Sequence, residues 1–200
     1  TRLHPESPYA NSKLASHYLI SNYRKAYNLH AVSGILFNHE SELRSPYFVT
    51  KKIISSLVKV KLGEIDKFHL GNIYAKRDWG YAEEYVHGMI KMLKYNNPTD
   101  FVLASGKSYS VKQFVNLSCE YLNLKTKWIG SGNDEKLINK NNNKIIIQID
   151  KNLFRPNDVN FLRGSSRLAN QKLNWKAEKD IDYLIKRMVD FEIKYPTFFN

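Results

Sequence analysis

The order in which the first two elements are written constrains this chain most. Residues 8–28 read as one long helix: apolar side chains recur at Leu14, Ala15, Tyr18, Leu19 and Tyr23 with polar residues between them, Pro8 suits a first helical position, and Asn28 suits a terminator. The run HAVSGILF, residues 30–37, follows directly and reads as a short buried strand, mostly apolar and with little alternation, as in a parallel sheet. A helix feeding such a strand is the second half of a βαβ unit. Only eight residues precede Tyr9, so the first strand of that unit is missing and the chain is expected to open partway through an α/β fold.

The rest alternates in the same way. Residues 38–48 read as a polar loop containing Pro46; 50–62 as a second amphipathic helix stopped by Gly63; 67–70 as a strand; 81–95 as a helix ended by Asn96-Asn97-Pro98. A strand at 101–104 turns at Gly106, and Ser110 caps a helix running to about Leu122. Residues 125–129 and 145–149 read as strands, and 165–172 and 180–195 as closing helices. Between the two late strands, residues 130–143 (GSGNDEKLINKNNN) are rich in glycine and asparagine and are expected to form a mobile excursion. There is no internal repeat. No Gly-x-Gly-x-x-Gly follows a strand, and Gly130 and Gly132, set among charged residues in a polar stretch, do not make a phosphate fingerprint.

Composition narrows the class. Hydrophobic residues make up 42% and charged residues 25%, as in a globular protein, and no apolar run approaches the length of a membrane span. The one cysteine, Cys119, rules out an internal disulfide framework and sits among Phe114, Val115 and Leu122 as a core residue. A net charge of +12 admits nucleic acid, an anionic membrane or a phosphorylated small molecule as partner. The lysines are spread along the chain, with no zinc-ligand spacing and no basic run interleaved with aromatics, which disfavours nucleic acid.

Candidate chemistry falls in a few places. In SPYANSKLA, Tyr9 and Lys13 lie four residues apart and share a helix face. A lysine ammonium beside a phenol favours the phenolate, an arrangement suited to proton transfer. The segment LFNHESELRSPYFVTKK, residues 36–52, follows a strand, where ligand loops sit in open α/β sheets, and offers amide, imidazole, carboxylate, guanidinium and ammonium groups; it also reads as a plain polar loop. Lys76-Arg77-Asp78-Trp79 precedes a helix whose free amides, with the arginine, would suit a phosphate; the alternative is a surface Arg77–Asp78 arrangement over a buried Trp79. In Phe154-Arg155-Pro156-Asn157-Asp158, Arg155 would make a bidentate phosphate contact and Asp158 would accept from ribose hydroxyls, or the segment is a charged turn. Trp175, in Leu173-Asn174-Trp175, reads as packing.

Taken together, SPYANSKLA, GILFNHES, FVTKKI, HLGN, RDWGYAEEYV, FVLASGKSYSVKQFV, FRPNDVNFLRG and the final LNW resemble, in order, the GDP-mannose 4,6-dehydratases, a branch of the extended short-chain dehydrogenase/reductase superfamily whose signature is Tyr-x-x-x-Lys. The resemblance implies an α/β fold: the C-terminal part of an extended Rossmann-type NAD(P)-binding fold plus a smaller α/β substrate domain. Residues 1–48 would end the Rossmann-type domain and 49–200 would form mainly the substrate domain, with returns to the Rossmann sheet. It implies the conversion of GDP-mannose to GDP-4-keto-6-deoxymannose with NADP as cofactor. Tyr9 would take the proton from the sugar C4 hydroxyl, and Lys13 would hold the nicotinamide ribose. His39 and Arg44 would contact NADP. Asn38, Lys52, Arg77, Arg155 and Asp158 would contact the nucleotide sugar, Arg77 and Arg155 as a diphosphate clamp and Asp158 in place of the family's glutamate. A cytoplasmic homodimer or homotetramer, without membrane or nucleic acid, is the implied setting.

The departures carry expectations of their own. The glycine-rich fingerprint and the serine or threonine and glutamate that complete the family's catalytic set are absent, and Glu6 does not replace the latter. Ser45-Pro46-Tyr47 stands where the family has a glycine and a glutamate after the arginine. The chain alone is therefore expected to be an incomplete, inactive fragment, poorly soluble or partly unfolded because of an open sheet flank. Another nucleotide-sugar dehydratase or epimerase, and a non-catalytic nucleotide-sugar-binding module, stay open as alternatives.

Overall fold

A computed structural model describes residues 3–154, 157 and 159–196. In chain order the elements are α1 (Pro8–Tyr27), β1 (Gly34–Leu36), β2 (Asn38–Glu40), α2 (Val49–Leu62), β3 (Phe68–Leu70), β4 (Lys76–Arg77), β5 (Trp79–Tyr81), α3 (Ala82–Lys94), β6 (Phe101–Leu103), β7 (Tyr109–Ser110), α4 (Val111–Tyr121), β8 (Thr126–Ile129), β9 (Lys136–Asn139), β10 (Ile145–Ile149), α5 (Arg167–Leu173) and α6 (Ile181–Lys194).

Local chemistry explains most boundaries. Ser7 caps α1 by accepting from the Ala10 amide at 3.1 Å, Pro8 opens it, and Asn28 ends it in the left-handed region. Gly63, at φ +77°, ends α2. Ser110 and Gln113 form a reciprocal capping box at the start of α4.

The strands make one four-stranded sheet and three two-stranded pairs. The sheet runs β3-β10-β9-β8, parallel at β3–β10 and antiparallel elsewhere. Helices α2, α4 and α6 pack on one another and bury Ile53, Leu57, Phe114, Met188 and Val189 with Leu137 and Ile147 of the sheet. Each such side chain contributes about 1.5–3 kcal/mol. A second, smaller core joins Tyr85 and Met92 of α3 to Phe101 and Leu103 of β6 and to Trp175. The parallel pair β1–β6 borders the second core, and the parallel pair β2–β5 and the antiparallel pair β4–β7 border the first, in which Trp79 packs on Phe114 with ring centroids 5.2 Å apart.

Three expectations are corrected. Only residues 34–36 of the 30–37 run form strand, and Asn38–Glu40, expected as loop, forms a second strand because β5 offers it a parallel edge. The polar stretch 130–143 is no excursion: β9 occupies its middle, Leu137 is fully buried, and the buried Glu135 carboxylate binds Lys112 and the Tyr74 hydroxyl. The apolar stripe of α1 is at most half-buried: no α1 residue is buried, and Tyr18, Leu19 and Tyr23 are exposed. Cys119 lies in the core, and burial pushes its thiol up to about 12. Among the described residues no helix is long and apolar enough to cross a membrane, and no group of three His, Cys, Asp or Glu side chains could hold a metal ion.

Candidate active site

The site starts at the first turns of α1. The cap at Ser7 fixes the helix register, which puts Tyr9 and Lys13 one turn apart, with the Lys13 ammonium 5.5 Å from the Tyr9 ring centroid. Tyr9 is 71% exposed. Both side chains line an open cavity of about 730 Å³ between α1 and β1, whose walls also include His17 of α1, Ser33 and Ile35, and His39 of β2. The far end of α1 is tied down by Arg24, which pairs with Asp100 and donates to the Ala31 carbonyl at 2.6 Å; Asp100 also accepts from the Ser33 amide at 2.8 Å.

Strand β2 brings the amide and imidazole into place. Pairing with β5 sets Asn38 opposite Trp79 and His39 opposite Gly80. The Nδ1 of His39 lies 2.9 Å from the Phe37 carbonyl, so it carries the proton there and leaves Nε2 as the other ring nitrogen. The His39 ring stacks on the buried Tyr85 ring at 5.2 Å and 22°. Burial also pushes the Tyr85 phenol up, with the Asp78 and Glu84 charges adding to it.

The loop after β2 is a charge network. The buried Glu40 carboxylate accepts from Thr50 Oγ1 at 2.9 Å and lies 2.9 Å from Arg44 Nε. Burial raises its pKa, while Arg44 and Thr50 pull the other way. The Arg44 guanidinium also lies 3.4 Å over the Phe48 ring. Glu42 pairs with Arg187 of α6, and Lys51, 1% exposed, donates to the Glu42 carbonyl at 3.1 Å and pairs with Glu192 at 2.6 Å. The C-terminal helix thus holds the loop that carries the candidate residues. Lys52, one residue on, is half-buried; burial lowers its pKa and Asp150, at the end of β10, opposes that.

Arg77 and Asp78 divide the work of their segment. Arg77 donates to the Lys76 carbonyl at 2.9 Å and to the Val159 carbonyl, at the start of the 159–164 return. Asp78 is wholly buried and accepts from the Ser105 amide and hydroxyl at 2.8 and 2.6 Å and from the Gly106 and Gly164 amides at 2.9 and 3.0 Å. The surface Arg77–Asp78 alternative is therefore excluded for Asp78, although Trp79 is buried as expected.

The structure brings Tyr9, Lys13 and His39 to one cavity, with Asn38 next along β2 and Arg77 two residues from its strand partner Trp79. Lys52 lies close enough to Asp150 to feel its charge. Arg44 is not among the described residues lining the cavity and is engaged by Glu40 and Phe48. Arg155 and Asp158 lie outside the described residues. Reading the sequence missed His17, Glu40, Asp78 and the Lys51–Glu192 pair. The i,i+4 spacing of Glu40 and Arg44, and that of Lys13 and His17, were the available signals; nothing local announces a partner 141 residues away.

In fold, the chain aligns with the dTDP-glucose 4,6-dehydratase of Bacillus anthracis, solved with NAD, at a TM-score of 0.79 and 14% identity, covering 99% of this chain and 56% of that one. It aligns with RMD of Pseudomonas aeruginosa, solved with NADPH, at a TM-score of 0.76 and 18% identity over 94% of this chain and 56% of that one. These likenesses show an extended Rossmann-type α/β fold. The family model for GDP-mannose 4,6 dehydratase matches residues 1–188. The GDP-mannose 4,6 dehydratase of Cricetulus griseus is 43% identical over 194 residues, which is 97% of this chain and 52% of that protein. The chain belongs to the GDP-mannose 4,6-dehydratase family, and it spans about half the length of the relatives it matches.

Proposed function

We propose that this chain serves the dehydration of GDP-mannose to GDP-4-keto-6-deoxymannose, with turnover belonging to a protein of its relatives' length. One observation carries the reading: Tyr9 and Lys13 stand one helical turn apart on the wall of a cavity whose opposite side holds His39. The Tyr9 phenolate takes the proton from the sugar C4 hydroxyl as that carbon is oxidised and becomes the neutral phenol. The Lys13 ammonium stabilises the phenolate that stands ready for that proton. Once C4 is a ketone, the C5 proton is acidic and loss of water from C6 follows.

The cofactor of this reading is NADP, which would take up the hydride lost from C4 and give it back at C6 after water has left. The donors present suit its ribose: Lys13 offers an ammonium to the hydroxyls, and His39, its Nδ1–H engaged by Phe37, sits in the cavity wall. Arg44 would serve a cofactor phosphate only after leaving Glu40. Asn38, Lys52, Arg77, Arg155 and Asp158 bind the nucleotide sugar, the two arginines taking the diphosphate. In the same reading residues 1–48 end the cofactor domain and 49–200 form mainly the substrate domain. The protein works as a cytoplasmic homodimer or homotetramer.

Calorimetric titration of the chain with GDP-mannose, UDP-glucose and dTDP-glucose tests the substrate class. GDP-mannose is expected to bind about tenfold or more tightly than either pyrimidine sugar, a difference of about 1.4 kcal/mol. Equal affinities, or a pyrimidine preference, would assign the site to another nucleotide-sugar enzyme. In a protein of the relatives' length, Tyr9→Phe is expected to lower turnover by about 10²–10⁴-fold with substrate affinity unchanged. Unaltered turnover would remove Tyr9 from catalysis.

A further inference from the structure

We propose that Asp78 is the positioning residue that aims Arg77 at the diphosphate, an inference that rests on the reading of Arg77 as a diphosphate ligand. Asp78 joins three separate stretches of chain: its own, between β4 and β5; the turn at Ser105-Gly106 after β6; and the return at Gly164. All of its four acceptor contacts are with N–H or O–H donors, so both carboxylate oxygens are satisfied in a site from which water is excluded.

Two glycines make the convergence possible. Gly106 sits at φ +78°, a conformation L side chains rarely adopt, and this turns its amide onto Asp78. At Gly164 a Cβ would meet the Ala104 Cβ at 2.3 Å and the Phe37 ring at 2.8 Å, so only glycine lets that backbone come in close enough to donate. The return is then zipped to β4 by the Lys76 amide to the Asn160 carbonyl at 2.8 Å and the Leu162 amide to the Lys76 carbonyl at 3.0 Å. Ser108 Oγ adds a bond to the Leu162 carbonyl at 3.2 Å.

The consequence concerns Arg77. Neighbouring residues of an extended segment point to opposite sides, so an inward, fully bonded Asp78 turns Arg77 the other way, onto the Val159 carbonyl. The same carboxylate therefore sets both the direction of Arg77 and the position of the 159–164 return that Arg77 meets. Asp78 touches no ligand in this scheme; it holds Arg77 and that return in place. Asparagine in its place is nearly isosteric but turns an N–H₂ toward donors and loses at least part of the set.

The test is titration of the chain with GDP, read by calorimetry and by the ³¹P resonance of the bound β-phosphate, well below each variant's own melting midpoint. Arg77→Gln serves as the control. Asp78→Asn is expected to stay folded, raise the Kd for GDP about tenfold or more, and return the β-phosphate shift toward its free value. Ser105→Ala, which keeps the three backbone donors, is expected to raise the Kd about threefold. A lowered melting midpoint with wild-type Kd and ³¹P shift in Asp78→Asn would overturn the proposal, leaving Asp78 a purely stabilising group. If Asp78→Asn does not fold, Ser105→Ala decides, and unchanged affinity there overturns it. If the wild-type chain binds no GDP, or Arg77→Gln binds it as the wild type does, the clamp reading itself fails and the inference falls with it.

Discussion

The α2–α4–α6 layer and the α1 helix are written in the same amphipathic code and end up in opposite states. In the first, Ile53, Ile54 and Leu57 of α2 are fully buried against α6 and the four-stranded sheet, and even a lysine and a glutamate are drawn inside as a pair. In the second, a well-capped helix buries no residue, and β1 below it leaves Ile35 exposed beside an open cavity. Local signals bound a helix in both places, Ser7, Pro8 and Asn28 at α1 and Gly63 at the end of α2; burial comes only where another element meets the stripe. The difference teaches that the candidate catalytic pair and the candidate substrate residues rest on very different supports. Tyr9 and Lys13 stand on a helix whose far end is held by Arg24 and Asp100, whereas Lys52 and the loop before it are braced from three helices and a sheet.

The sharpest way to break that contrast is to attack the buried pair. Glu192→Ala takes the carboxylate from an ammonium that is 1% exposed, and unfolding in urea is expected to show a loss of about 3–5 kcal/mol. The double change Lys51→Met with Glu192→Leu is expected to recover most of it, because two apolar side chains fill the same space without a desolvation cost. A small loss in the single variant would mean that the layer is far looser than its burial implies. The next test compares one apolar truncation in each region. Leu57→Ala, in the closed core, is expected to cost about 2–5 kcal/mol, and Leu19→Ala, on the exposed side of α1, within about 0.5 kcal/mol of zero. Equal costs would show that α1 is covered in solution.

Legibility in the sequence follows the same division. Helix ends were legible because their determinants are local: Pro8, Asn28, Gly63 and Ser110 act on residues within a turn of themselves. The Tyr9–Lys13 pair was legible for the same reason. Strand β2 was not, since Asn38-His39-Glu40 has no strand propensity of its own and is strand only by pairing with residues 79–81. Likewise Leu137 and Glu135 were hidden in a stretch that reads as polar, because one buried leucine per strand face leaves little periodicity. Asp78 looked like half of a surface pair, since its donors come from positions 105, 106 and 164. The apolar stripe of α1 was legible and still misled, because a pattern states that a face is able to be buried and does not name what buries it.

The smallest effect lies at the seam between the two regions, at Glu40. This carboxylate sits on β2, next to the cavity residue His39, yet its ligands Thr50 and Arg44 belong to the start of α2 and the loop before it. Burial is the largest influence on it and raises its pKa above the ordinary 4.5, with the two ligands offsetting only part. A group whose folded pKa lies above its unfolded value binds its proton more tightly in the folded state. Its contribution to stability is complete below the unfolded pKa and is lost as pH rises through the folded one. Glu40→Gln keeps a similar shape and cannot ionise, so it is the reference. Urea midpoints of the two proteins, taken from pH 4 upward, are expected to diverge: the wild type should lose stability relative to Glu40→Gln as pH climbs past 4.5 and level off once Glu40 is fully ionised. The opposite slope would mean that Arg44 and Thr50 outweigh burial, and that the seam is held by the ion pair rather than strained by it. In that case Arg44 would be locked to Glu40 at neutral pH, and its release toward a cofactor phosphate would carry a larger cost than burial alone implies.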